Sequence, residues 1–180
     1  MERILFTNAR IPEGDGFALR HVLIEGSTIV RIDAEPAEAD ARRADLAGAW
    51  LLPGFIHAHA HLMENYDGFN TDKLRRWLRS GITHIRDQGI LSRHGVREAV
   101  AWRDSLRAAD GLPSISVPGP YLSAPGGYGG LQPIGVATSE EAREAVRRLV
   151  DGGADHIKIP YDEGYDEATR ALPMLEPATI

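Results

Sequence analysis

The sequence predicts an α/β protein in which a small β-rich unit precedes a series of alternating strands and helices. From Pro53 onward, apolar runs of strand length and amphipathic stretches of helical length alternate four times, which is typical of a parallel sheet. Before Pro53, short strand-like segments are separated by glycine-rich turns, with no helical pattern between them. We therefore expect two parts, residues 1–52 and 53–180.

The first part is predicted to be a small antiparallel unit. A turn is expected at residues 12–16 and a hairpin connection at residues 25–27, and residues 33–43 are interpreted as a surface connection. About fifty residues are too few to bury a good core alone, so this unit must pack against something else. Its predicted strands cover residues 3–8, 19–25, 28–32 and 45–52.

The second part is predicted to contain four strands and three helices. Glycines or a Gly-Leu-Pro sequence follow each helix, as expected where helices end. The glycine-rich stretch 124–136 lacks the G-x-G-x-x-G spacing of a dinucleotide loop, so we interpret it as an active-site loop that moves. Residues 175–180 resemble a helix start, with Pro177 in its first turn. The strands cover 55–62, 82–87, 114–123 and 156–160, and the helices cover 71–80, 94–109 and a stretch that begins at Thr138 or Ser139.

Composition and charge narrow the class of protein. The 180 residues carry a formal net charge of −6, which argues against nucleic-acid binding. There is no cysteine, which excludes disulfides and thiolate metal sites and leaves His, Asp, Glu or modified Lys as ligands. No signal-peptide pattern and no run of ~18 apolar residues is present, so we expect a soluble, cytoplasmic protein without membrane contact.

Three histidines stand at every second position of the first strand after Pro53-Gly54. Side chains alternate between the faces of a strand, so His57, His59 and His61 are predicted to point to the same side. Imidazole is a common protein ligand for zinc-like ions. The spacing therefore favours a metal site over a strand that is merely rich in histidine.

The same residues resemble a known family. Residues 51–62, LLPGFIHAHAHL, resemble the first-strand signature of the metal-dependent amidohydrolase superfamily, and residues 81–89, GITHIRDQG, resemble its second strand. Residues 152–159, GGADHIKI, resemble the fourth strand of the imidazolonepropionase-like and prolidase-like branch. The similarity runs over nearly the whole chain.

The resemblance implies a fold and a ligand set. The fold is a (β/α)₈ TIM barrel with a small β-sandwich, of which residues 1–52 are one part and residues 53–180 the first four βα units. His59 and His61 would bind a divalent metal ion, which is expected to be zinc. The complete site would hold one or two such ions. In relatives with two ions the fourth-strand lysine is carbamylated by CO₂ and bridges them, which assigns that role to Lys158.

The residues themselves leave alternatives open at Lys158. His156, Lys158 and Pro160 share one face of the predicted strand, and an ammonium that points into a barrel is costly to bury. A carbamate would replace that cation by an anion. The alternatives are an ion pair with a carboxylate such as Asp87, or a mononuclear site that Lys158 does not ligate.

Four further residues are candidates for substrate contact or for support of the ligands. The family usually has Asp where this chain has His57, so His57 either forms a hydrogen bond lower in the barrel or competes for metal. Asp87 is a substrate or supporting group, or else an ordinary strand-end cap. Tyr121 and Tyr128, near the glycine-rich loop, either contact substrate or pack.

A complete barrel takes ~250 residues. The fifth- and sixth-strand histidines and the eighth-strand aspartate that serves as general base have no counterparts here, so no catalytic residue is assigned. We therefore expect the 180 residues to be a truncated fragment that is inactive by itself, and that needs its missing C-terminal half or a homo-oligomer.

The function expected for the complete protein is that of a hydrolase. We expect metal-activated water to cleave a carbon–nitrogen bond in a small-molecule cyclic amide or a dipeptide-like amide. The alternatives are a non-catalytic half-barrel that serves as a partner or assembly subunit, and a mononuclear, deaminase-like amidohydrolase.

Overall fold

The computed structural model describes residues 2–33, 40–62, 70–89, 95–107, 109–128, 133–161 and 167–180. The chain divides into two compact units, Met1–Pro53 and Gly54–Ile180. In the described part of the chain, no helix has both the length and the apolar character needed to cross a membrane.

The first unit is a four-stranded sheet of mixed direction. Strands β1 to β3 are joined by tight turns and pair antiparallel, whereas β4 pairs parallel to β1, so the sheet order is β3-β2-β1-β4. The prediction of a purely antiparallel unit is therefore wrong for its last strand. The strands are β1 (Arg3–Glu13), β2 (Gly16–Glu25), β3 (Thr28–Asp33) and β4 (Arg42–Asp45).

The last strand of this unit also lies earlier in the sequence than predicted, because a turn ends it at Asp45. The Asp45 carboxylate accepts hydrogen bonds of 2.9 Å from the Asn8 side chain and from the backbone N–H of Ala47. Ala47 and Gly48 both have positive φ values, +48° and +80°, which turn the chain away from the strand direction. Beyond them, pairing with β1 is reduced to an isolated bridge between Trp50 and Arg10.

The second unit begins with alternating strands and helices, as predicted. Strands β5, β6 and β7 pair in that order as a parallel sheet, and β8 and β9 form a separate parallel pair. The elements are β5 (Phe55–Ala60), α1 (Thr71–Arg79), β6 (Ile82–Asp87), α2 (Val96–Arg107), β7 (Ser114–Ser116), β8 (Leu122–Ser123), β9 (Ile134–Gly135), α3 (Ser139–Asp151) and α4 (Glu167–Arg170).

Helix boundaries follow local chemistry, and the structure confirms them closely. The Asn70 side chain caps α1 by accepting from the backbone N–H of Lys73 at 3.0 Å, and Gly81, at φ +89°, follows the helix. The Thr138 hydroxyl caps α3 by accepting from the N–H of Glu141 at 3.2 Å. These caps explain why the sequence predicted both helices to within about a residue.

The third predicted strand is interrupted. Residues 117–121 separate β7 from β8, and Pro118 has no N–H to donate to a neighbouring strand. The backbone N–H of Val117 donates instead to the Asp155 carboxylate at 2.9 Å. A side chain that is distant in sequence therefore takes the place of a strand partner.

The predicted fourth strand is absent, since residues 157–160 do not join a ladder. One backbone bond, from the N–H of Leu122 to the carbonyl of Lys158 at 3.0 Å, holds this segment beside β8. In the described ranges the main parallel sheet thus has three strands and does not close into a barrel. Residues 177–179 form a turn rather than the predicted helix start, and the short helix α4 was not predicted.

The second unit has two clusters of buried side chains, one of which lies between the parallel sheet and helices α1 and α2. On α2, Ala99 is fully buried, and Val100, Trp102 and Leu106 pack against the same buried cluster. Arg103, on the same helix, is also buried. This cluster comprises Ala60, Leu74, Ile85, Ala99, Ile115 and Val117. The second cluster comprises Leu122, Ala124, Val136, Ala145, Leu149 and Leu175.

Candidate metal centre

An irregularity in β5 separates His57 from the other two histidines. In the ladder with β6, His57 lies opposite Ile85 and Ala60 lies opposite Asp87. The two residues between His57 and Ala60 therefore correspond to a single residue of β6. Such a bulge reverses the alternation of side chains along the strand. The prediction that all three histidines point to one side is therefore wrong.

His57 belongs to the helix side of the sheet. Its ladder partner Ile85 is fully buried in the core, and residues that are paired in a ladder project to the same face. The His57 ring packs against Trp77 of α1, with centroids 5.0 Å apart. His57 therefore forms part of the contact between strand and helix.

His59 and His61, in contrast, meet each other at the C-terminal end of β5. Their Nε2 atoms lie 3.2 Å apart, with ring centroids 5.2 Å apart. His59 is exposed and His61 is half-buried. Two nitrogens bound to a tetrahedral ion at the usual 2.0–2.1 Å would be separated by roughly 3.3 Å, so this pair fits two ligand positions of one such ion.

Two imidazoles alone do not make a complete metal site. Across the described residues, no group of three or more His, Asp or Glu side chains is arranged to hold an ion. A further ligand must therefore come from another type of side chain, such as a modified lysine, or from elsewhere.

Tyr121 contacts the histidine pair from the segment between β7 and β8. Its hydroxyl lies 3.2 Å from Nδ1 of His61, on the ring edge opposite to the one that faces His59. The Tyr121 side chain is buried, with an exposed fraction of 5%. The structure therefore brings together His59, His61 and Tyr121. The contact between His61 and Tyr121 was not predictable from the sequence.

Asp87 holds the strand ends together beneath this group. It is fully buried, and its Oδ1 accepts a 2.8 Å hydrogen bond from the backbone N–H of Leu62, next to His61. The neighbouring Gln88 is also buried, and its side-chain amide donates to the carbonyl of Ala58 at 2.9 Å. Gln88 was not a candidate from the sequence, although a polar residue at the end of a predicted strand can indicate a place near the site.

Lys158 lies in the segment beside β8 rather than in a strand. It is half-buried, and burial, reinforced by the positive charge of Arg86, lowers the pKa of its ammonium. Burial and Arg86 also lower the pKa of His156, the ring of which donates through Nε2 to the carbonyl of Asp87 at 3.0 Å. A lowered lysine pKa favours the neutral amine, which is the form that reacts with CO₂.

Two further residues are Tyr128, which was a candidate, and His84, which was not. The Tyr128 carbonyl accepts a 2.6 Å hydrogen bond from the buried Ser123 hydroxyl, while residues 129–132 of its loop lie outside the described ranges. His84 on β6 lies 2.7 Å from the Ser114 hydroxyl and 3.2 Å from that of Ser116, through its two ring nitrogens. Sequence analysis did not single out this histidine, the partners of which become visible only when β6 and β7 are paired.

Known proteins resemble this chain in structure. No family model matches the sequence, and no curated protein matches it in sequence. Among solved structures, a prolidase-like protein of Bifidobacterium longum is 27% identical, with a TM-score of 0.63 over 91% of this chain and 42% of that one. An Xaa-Pro dipeptidase with methionine bound in its active site is 20% identical, with a TM-score of 0.65 over 87% of this chain and 46% of that one.

A third similar structure comes from another group of enzymes. A dihydropyrimidinase of Brevibacillus agri is 20% identical, with a TM-score of 0.59 over 98% of this chain and 36% of that one. This chain therefore spans less than half the length of each of these three structures.

The chain therefore has an α/β fold similar to that of TIM-barrel amidohydrolases. Its structural neighbours are prolidase-like and hydantoinase or dihydropyrimidinase amidohydrolases, and they cover most of its 180 residues. This confirms the resemblance to the amidohydrolase superfamily, in its prolidase-like branch.

Proposed function

We propose that this chain supplies part of the active site of a metal-dependent hydrolase that cleaves an amide-type carbon–nitrogen bond in a small molecule. The observation that carries the proposal is the 3.2 Å separation of Nε2 of His59 and Nε2 of His61 at the end of a parallel strand. That spacing suits two ligands of one ion, and functional groups in parallel α/β folds gather at this end of the strands.

The ion would be divalent, with zinc as the first choice for imidazole ligands. His59 and His61 would hold it through Nε2, and Lys158 as a carbamate would contribute anionic oxygens to one ion or to two. When bound, such an ion polarises a carbonyl and lowers the pKa of water toward ~7.

Formation of the carbamate requires only the Lys158 amine and CO₂. The neutral Nζ of Lys158 attacks the carbon of CO₂, a nitrogen–carbon bond forms, and one proton leaves for solvent. The lowered pKa of Lys158 supports this step because more of the amine is unprotonated at neutral pH. The side chain then changes from a cation to an anion, which suits a site for metal cations.

The proposed substrate class is supported by the similar structures. A prolidase-like relative favours a dipeptide-like amide, and dihydropyrimidinase-like relatives favour a cyclic amide. An active site of this kind would need further ligands and a general base in addition to His59, His61 and Lys158. Location in the cytoplasm and inactivity of the 180 residues alone stay predictions.

Metal analysis of the complete protein tests the proposal. We expect one or two ions per chain in the wild type, with a large loss in His59→Gln and in His61→Gln. His57→Gln is the matched control, since His57 packs on Trp77 and should leave the metal content unchanged. A metal-free wild type, or equal metal in all three variants, would overturn the proposed site.

Native mass spectrometry tests Lys158 separately. The metal-loaded protein should carry the added mass of one CO₂, and Lys158→Met should lose it. If the added mass is absent while metal is retained, a mononuclear site without the bridging carbamate replaces the proposal.

A further inference from the structure

We infer that Tyr121 is a positioning residue that holds His61 in the tautomer with its proton on Nδ1, in which Nε2 is the nitrogen that would bind a metal ion. The inference deepens the proposed function and rests on it for the role of the ion. It also makes a claim about the metal-free protein, which can be tested whether or not an ion binds.

The contact between Tyr121 and His61 has a defined geometry. The Tyr121 hydroxyl lies 3.2 Å from Nδ1 of His61, and the two rings are close to perpendicular, at 89°. A histidine that binds metal through one nitrogen usually donates its other N–H to a fixed acceptor, which sets both the tautomer and the ring orientation. The Tyr121 oxygen occupies the position of that acceptor.

Three contacts hold the backbone and the ring of Tyr121 in place. The Tyr121 carbonyl accepts from the backbone N–H of Ile134 at 2.8 Å, and the next residue, Leu122, donates to the carbonyl of Lys158 at 3.0 Å. The ring fills the space beside Gly89, where an added Cβ would overlap with Cε1 of the tyrosine. Gly89 also has φ +117°, a conformation that other residues rarely adopt, so both the space and the backbone there require glycine.

These contacts are compatible with either tautomer of His61, and the inference concerns the one with its proton on Nδ1. If His61 carries its proton on Nδ1, it donates to the Tyr121 oxygen, and its Nε2 presents a lone pair. Without an ion, the Nε2–H of His59 can donate to that lone pair across 3.2 Å. In the other tautomer, the proton on Nε2 of His61 would occupy the direction in which the ion must bind.

Long-range nitrogen–proton NMR of the metal-free complete protein tests this assignment, at about pH 8, where an ordinary histidine is neutral. We expect His61 to be protonated on Nδ1 in the wild type and to become a mixture of tautomers in Tyr121→Phe. Tyr161→Phe is the matched control, because Tyr161 is exposed and should leave the His61 signals unchanged. Protonation of His61 on Nε2 in the wild type would overturn the inference, and so would an unaltered His61 in Tyr121→Phe.

Competition with a chelator provides a second readout. Tyr121→Phe should weaken metal binding about 10- to 100-fold, as is usual when the partner of a ligand is lost. Gly89→Ala, which displaces the ring, should weaken it similarly, and the double variant should be no weaker than either single one.

The two proposals fail in different ways. If the wild type binds metal through His59 and His61 while Tyr121→Phe binds it equally well, the positioning role is wrong and the proposed function stands. If His61→Gln keeps the metal, the metal site is wrong, and the wild-type tautomer still decides whether Tyr121 sets the protonation of His61.

Discussion

Asp87 accepts, at its buried Oδ1, a 2.8 Å hydrogen bond from the backbone N–H of Leu62. The bond joins the end of β6 to the residue that follows His61, so the position of a proposed ligand depends on a carboxylate of the neighbouring strand. This bond is the contact expected of a strand-end cap, and it also supports the segment that carries His61.

The first prediction concerns this bond. Asp87→Ala leaves the Leu62 N–H without its acceptor and should lower the free energy of unfolding by about 1–3 kcal/mol, measured by urea denaturation. Asp87→Asn retains an acceptor oxygen and should lose clearly less. Equal losses in the two variants would show that the charge of Asp87, rather than its hydrogen bond, stabilises the strand ends.

The second prediction concerns the buried arginine of α2. Arg103 donates from Nη1 to the Asp155 carboxylate at 2.6 Å and to the carbonyl of Gly153 at 3.0 Å. The pKa of its guanidinium is raised, chiefly by a hydrogen bond to Asp104. Arg103→Met should lower the free energy of unfolding by about 1–3 kcal/mol, because it removes charge-assisted bonds from a buried site.

Arg107→Met is the matched control for Arg103. Arg107 is exposed and pairs with Asp104 at 3.1 Å on the helix surface, where ion pairs contribute little. Its substitution should leave the denaturation midpoint unchanged. A loss as large as that of Arg103→Met would contradict the role of burial.

The third prediction is a dependence of stability on pH. Burial, followed by the charge of Arg86, lowers the pKa of His156 below its ordinary value of about 6.5. The unfolded state therefore binds more protons than the folded state as the pH falls below 6.5, and the folded state loses stability there. His156→Gln should flatten this part of the curve of unfolding free energy against pH, although it also loses the bond to the carbonyl of Asp87.

The decisive quantity for His156 is the slope of this curve below pH 6.5, and not the overall stability. If His156→Gln changes the overall stability but leaves the slope below pH 6.5 as in the wild type, His156 is not the group responsible.

The fourth prediction separates packing from metal binding at β5. His57→Ala removes the ring that packs on Trp77 and should lower the free energy of unfolding by about 0.5–1.5 kcal/mol, without loss of metal from the complete protein. His57→Phe keeps an aromatic ring and should lose less. A loss of metal in His57→Phe would show that His57 is a ligand after all.

Much of the fold was predictable because its signals are local. The caps Asn70 and Thr138 and the glycines after α1 and α3 fix helix boundaries through bonds to residues three or four positions away. The strand pattern of residues 82–87 was equally clear, and β6 has those bounds. The interruption of the third strand was not predictable, since it depends on the carboxylate of Asp155, 38 positions beyond Val117.

The candidate site shows the same division. The alternation of His57, His59 and His61 and the family resemblance were sufficient to select His59 and His61 as ligands, and that assignment remains a prediction. The alternation was misleading for His57, because a bulge depends on how β5 pairs with β6 and leaves no mark in the sequence of β5 alone.

The sequence by itself therefore determined the order of strands and helices, the helix ends and the amidohydrolase resemblance, all of which rest on neighbouring residues or on motifs. Only the tertiary structure decided that His57 faces Trp77, that Asp87 binds the N–H of Leu62, and that Tyr121 meets His61 across sixty positions. Each of these contacts depends on strand register and on chain crossings, which many distant residues set together through packing.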